Sequence, residues 1–84
     1  MIRNVYVIYD VKINAANSGI ILFNNDEEAK RSLSDMLNKR DENNLLYLHP
    51  EDFQLRCIGR FDDVTCVLRS DVVDVCMLST LVVK

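Results

Sequence analysis

Tryptophan is absent from this 84-residue chain, and proline (one), histidine (one) and glycine (two) are scarce. With two separated glycines there is no glycine-rich loop to cradle a phosphate. With one histidine, and three cysteines spaced nine and ten residues apart at Cys57, Cys66 and Cys76, no zinc-ligand pattern forms. An odd cysteine count without a secretion signal points to reduced thiols, read here as three small buried hydrophobes. No apolar run approaches the ~20 residues of a membrane-spanning helix, so no membrane partner is expected. Met1-Ile2-Arg3-Asn4 leads straight into an apolar alternation ending at Asp10, unlike a secretory leader, and the expected location is cytoplasmic. A basic excess is also missing. Ten Lys and Arg stand against thirteen Asp and Glu, a net charge of −3, which argues against strong nonspecific nucleic-acid binding. A local basic face remains compatible with that sum.

What is present is an ordinary globular balance, 49% apolar and 27% charged. A chain this short buries only roughly 60% of its unfolded surface, so residues 1–84 are expected to form one small domain with one modest core and no deep cleft.

Arg3 to Tyr9 is apolar on both alternating faces, the pattern of a central strand. Residues 11–19 are rich in Asn and small side chains and read as a loop, followed by a short strand over Ile20–Phe23. Asn24-Asn25-Asp26 with Glu27-Glu28 is a helix start, because Asn or Asp caps free N–H groups and acids favour that end of the dipole. Ala29, Leu33, Met36 and Leu37 then share a face, and Lys39 and Arg40 suit a last turn, so a helix is expected over about Asp26–Lys39. Residues 41–52 form a connector pinned to the core by Leu45 to Leu48. Phe53–Phe61 alternates, with Phe53, Leu55, Cys57, Gly59 and Phe61 on one face and Gln54, Arg56, Ile58 and Arg60 on the other. A tight turn at Asp62-Asp63 leads into Val64–Arg69, a β-hairpin. Ser70–Lys84 is apolar and β-branched, either a third hairpin arm or a short helix starting at Ser70-Asp71, and is read as extended. The expected fold is α+β, a small antiparallel sheet of about four strands with one helix packed on one face.

No group of residues reads as a catalytic site, and no cofactor or metal is implied. The acid pairs among Asp26 to Glu28, at Glu51-Asp52 and at Asp62-Asp63 sit at helix starts and turns, where carboxylates serve local backbone needs. His49 has no nucleophile beside it and reads as a loop residue. A surface is the better candidate. Arg56 and Arg60 are placed on one strand face, Arg69 can join them depending on register, and Tyr6 or Tyr9 nearby could stack bases. With Lys12 and Arg3 these would contact phosphate; the alternative is a solvated strand face of mixed charge, or a ladder paired to Asp and Glu. The sheet and tail offer more apolar surface than one helix covers, so a homodimer is expected, with Val73, Val75, Met77 and Leu81 as interface residues.

Three blocks of residues also carry a resemblance. They are YVIYD (Tyr6 to Asp10); Asn25, Asp26, Ala29 and Arg31; and Pro50, Asp52, Phe53, Leu55, Ile58, Gly59, Phe61 and Asp62, followed by Thr65. In that order and spacing, over about residues 3–68, the chain resembles the small nonstructural protein of gokushovirus-type microviruses, phages with single-stranded circular DNA. The resemblance implies a non-enzymatic accessory protein of viral DNA replication, present in the host cytoplasm and absent from the mature virion. Its implied partners are single-stranded DNA or the phage replication and packaging proteins. An adaptor acting on phage or host proteins without touching DNA is the alternative. The chain departs from the family at two places: Cys66 stands where glycine often follows the hairpin threonine, and residues 14–21 lack an aromatic-Pro-Phe stretch.

Overall fold

The structure, a computed structural model, describes residues 1–82. Strand β1 (Ile2–Asp10) lies in the middle of a five-stranded antiparallel sheet. Two short strands share one of its edges: β2 (Ala15–Ala16) pairs Tyr9 and Asp10, and β3 (Ile21–Phe23) pairs Asn4 to Tyr6. The fifth strand, beyond the expected four, arises because the 11–19 loop doubles back and Ala15–Ala16 hydrogen-bonds to the end of β1. On the other edge of β1 follow β4 (Phe53–Asp62) and then β5 (Leu68–Met77).

Helix α1 (Asp26–Leu37) packs on one face of this sheet. The Asn25 side chain accepts from the Glu28 N–H at 2.8 Å, and the Glu28 carboxylate accepts in turn from the Asn24 N–H at 3.2 Å. The expected start therefore holds, and one of the acids, Glu28, serves the helix itself. The helix ends two residues earlier than expected. Asn38 caps it, donating from its side chain to the Ser34 carbonyl at 2.7 Å, which leaves Lys39 and Arg40 beyond the last turn. The buried stripe is also narrower. Ala29, Leu33 and Leu37 are buried, whereas Met36 lies to the side and is 43% exposed.

The core consists of Tyr6 and Ile8 from β1, Phe53 and Leu55 from β4, the three helix residues, and Leu78. Tyr6 is fully buried and donates its hydroxyl to Asp26 at 2.6 Å, which ties the sheet to the first turn of α1. Burial, and then that hydrogen bond, push the Tyr6 phenol well above its ordinary range, so it remains a donor. The connector holds a single-turn helix α2 (Leu45–Leu48) and a 3-10 turn over Pro50–Asp52. Leu46 packs on the core, but Leu45, Tyr47 and Leu48 are exposed, because one helical turn presents only one side chain inward.

Of the expected arm Val64–Arg69 only Leu68 and Arg69 are strand, because the loop extends through Val67 instead of turning tightly at Asp62-Asp63. β5 then continues into the tail and gives way to a 3-10 turn at Leu78–Leu81, whose end is held by Ser34 and Asn38 donating to the Leu81 carbonyl. The extended reading of the tail thus holds to Met77 and fails at Leu78, where the chain turns to bury that leucine. Val83 and Lys84 lie outside the described residues. No helix among the described residues is long and apolar enough to cross a membrane.

Two backbone features shape the hairpin. Against β1, the register of β4 shifts at Val5/Tyr6, where Val5 pairs Gly59 and Tyr6 pairs Cys57, leaving Ile58 as an extra residue. Beside this bulge, a Cβ on Gly59 would run into the Arg69 carbonyl oxygen on β5, so no larger residue fits. At the tip, Asp62 accepts from the Val64 and Thr65 N–H groups at 2.9 and 3.4 Å, which holds its carboxyl below the usual range. The loop closes with Cys66 at φ 63°, a left-handed conformation that favours glycine.

Two outcomes are expected in urea unfolding. Gly59→Ala should destabilise by about 3 kcal/mol, the upper end for overpacking, because the obstacle is backbone rather than a movable side chain. Cys66→Gly should stabilise by about 1 kcal/mol, by relieving the left-handed penalty of a residue with a Cβ.

Candidate anion-binding surface

The bulge decides which arginines meet. Residues opposite one another in an antiparallel ladder share a face. Cys57 pairs Tyr6 and lies on the helix side, whereas Gly59 and Phe61 pair Val5 and Arg3 and lie on the open side. Strict alternation would have kept Cys57, Gly59 and Phe61 together; the extra residue inverts the strand beyond Ile58. Arg56, opposite Val7, is therefore on the open face, and Arg60, opposite Asn4, is on the helix side. The expected Arg56–Arg60 row does not exist.

Arg56 is committed to its own domain. Its guanidinium lies 3.1 Å from Asp74 on β5, donates to the Gln54 side-chain oxygen at 2.8 Å, and sits 3.6 Å over the centre of the Tyr9 ring. Tyr9 is thereby covered and Tyr6 is buried in the core, so neither offers the expected stacking platform. Arg3 is 3.6 Å from Asp63, which also receives the terminal ammonium of Met1 at 2.8 Å. Lys12 lies beyond the other end of β1, 3.9 Å from Asp52.

Arg60 and Arg69 differ from these three. They are direct cross-strand partners between β4 and β5, both exposed, and neither has an ion pair among the described residues. Like charges directly opposite are destabilising in a sheet, so this pair is not explained by stability. The helix leaves the pair open. Twelve residues of α1 extend about 18 Å at 1.5 Å per residue. Ten residues of β4 extend about 34 Å. The distal part of the helix-side face has no cover, and there a concavity of about 440 Å³ is lined by Ile2, Arg60, Asp62, Thr65, Val67 and Arg69. Two guanidinium groups, each with a planar fork of donors, suit a phosphate or carboxylate oxygen. The Asp62 oxygen engaged by Val64 and Thr65 stays with the turn.

The remaining expected residues are distributed otherwise. Val75 and Leu81 pack against the core of their own domain, because Val75 is a bulged residue and Leu81 ends the folded-back turn. Met77 is half-buried, and Val73 is 51% exposed. Cys57 and Cys76 pack at the core margin, but Cys66 is exposed in the hairpin loop, contrary to the expectation of three buried thiols. His49, Glu51 and Asp52 bring ligand atoms within 4.8 Å of one another on an exposed turn. Glu51 already lies 3.7 Å from His49, and Asp52 faces Lys12.

Fold and surface together define a small α+β domain whose sheet is helix-covered on one face only and whose distal end carries an unpaired arginine couple. The chain belongs to the phage ORF5 protein family, whose model matches residues 3–81. It is thus a bacteriophage protein. No curated protein and no solved structure matches it.

If Arg56 serves the fold, Arg56→Ala should cost about 1 kcal/mol of stability, through the lost ion pair and ring contact. The urea midpoint measures this, and an unchanged midpoint would show the contacts to be idle.

Proposed function

We propose that this phage protein is the nonstructural accessory protein of a gokushovirus-type microvirus, and that it binds single-stranded DNA during genome replication without catalysing a reaction. The single observation that carries the reading is the Arg60–Arg69 couple, two adjacent exposed cations with no ion pair among the described residues of an acidic protein. It contacts phosphate rather than bases, since Tyr6 and Tyr9 are occupied. Binding is then modest and strongly salt-dependent, because counterion release supplies it. The protein works in the host cytoplasm, alongside the phage replication or packaging proteins.

The test is fluorescence anisotropy with a labelled single strand of about 30 nucleotides over a salt series, a length that exceeds the site size of one small domain. The Arg60→Ala/Arg69→Ala variant should bind weakly, with a log–log salt slope shallower by about 1.4, the value for two single-strand phosphates. Arg56→Ala should bind as the unmodified protein does. Equal binding by the Arg60/Arg69 variant would overturn the assignment. The net charge of −3 favours one other reading, an adaptor that acts on phage or host proteins without touching DNA. Absence of binding at low salt would support it.

A further inference from the structure

We propose that β5 is the docking edge for a second copy of this chain, which pairs with it antiparallel about a two-fold axis at Ser70. β5 is the outer strand of the sheet and pairs only with β4 among the described residues. Its ten residues contain no proline and no lysine, two of the devices that commonly blunt an open edge. Leu68 and Val72 are each 60% exposed and Val73 51%.

The register follows from the faces. Between Ser70 and Val73 the register with β4 shifts, Asp71 and Val72 standing against Ile58 alone, and the faces of the paired residues on either side keep the alternation of β5. Arg69 and Val73 lie on the helix side with Arg60 and Cys57, and Leu68, Ser70 and Asp74 lie on the open side with Phe61, Gly59 and Arg56. Asp71 therefore falls on the helix side and Val72 on the open side. A perpendicular two-fold axis must place residues of the same face opposite each other, so it passes through a residue and not between two. An axis at Arg69, Asp71 or Asp74 would set that charge against itself. An axis at Ser70 sets Arg69 against the partner's Asp71, Leu68 against the partner's Val72, and Val67 against the partner's Val73, each twice by symmetry. Among these same-face registers within the strand, it is the one that places Arg69 opposite an acid.

This arrangement also accounts for the arginine couple. Arg60 and Arg69 oppose each other on neighbouring strands, and Arg69 and Asp71 both lack an ion-pair partner among the described residues. In the dimer the helix-side row reads Arg60, Arg69, then the partner's Asp71. The like-charge repulsion is relieved, and Arg60 remains open in each copy. The inference stands apart from DNA binding, because the complementarity lies within β5 and is read without nucleic acid.

The test is analytical ultracentrifugation of the full chain, free of nucleic acid, over a concentration series. The unmodified protein should sediment at twice the chain mass. Arg69→Asp and Asp71→Arg should each weaken self-association at least roughly tenfold, since each converts two attractions into two repulsions. The double variant Arg69→Asp/Asp71→Arg should restore the dimer, and an equimolar mixture of the two single variants should form a heterodimer. Val72→Lys, which sets a charge against the partner's Leu68, should weaken the dimer while circular dichroism shows the fold intact. A monomer throughout the series, or single variants that associate as tightly as the unmodified protein, would overturn the proposal. DNA binding by a strict monomer would leave the functional reading standing and remove this one.

Discussion

One extra residue in β4 governs the distribution of side chains over the sheet. At Ile58 the ladder with β1 slips, and everything beyond it is turned over. Phe53, Leu55 and Cys57 face the helix, while Phe61, which would otherwise join them, faces away. The slip also brings β5 so close that only glycine fits at position 59. A bulge increases local twist, and here it separates a helix-covered proximal half from a hairpin that projects beyond the helix. The molecule is accordingly long, 41 Å in its greatest extent against 19 Å in its least.

Three cations are answered locally: Arg56 by Asp74 and Tyr9, Lys12 by Asp52, and, beyond the bulge, Arg3 by Asp63. Arg60 and Arg69, also beyond the bulge, face each other and have no ion pair among the described residues. Such a pair costs stability in isolation, and it is most economically explained by something that arrives from outside the chain. A phosphate and a neighbouring subunit's carboxylate are both anionic oxygen, so one structural feature serves both proposals; Arg69 enters both tests, Arg60 only the first, and Asp71 and Val72 only the second.

Much of this was legible in the residues. The start of α1 was written in Asn25 and the acids after it, since capping needs only local chemistry. The hairpin was written in the alternation of Phe53 to Phe61 and in Asp62, whose side chain builds the turn from its own neighbours. Cys66 closes the loop in a left-handed conformation that favours glycine, which the residues around it do not announce. The short strand β2 and the single turn α2 were not legible, because two to four residues carry no usable period.

The sequence by itself determined the class of fold, the helix that covers the sheet, the hairpin and the acidic balance. These depend on periodicity, caps and turn chemistry within a few residues. Only the tertiary structure decided which arginines share a face, which cations are already paired, and that the tail is half strand and half buried turn. A bulge is invisible to alternation, because Ile58 differs in no local respect from a regular strand residue. Its effect appears only when β1, β4 and β5 are laid side by side and the register is counted across them.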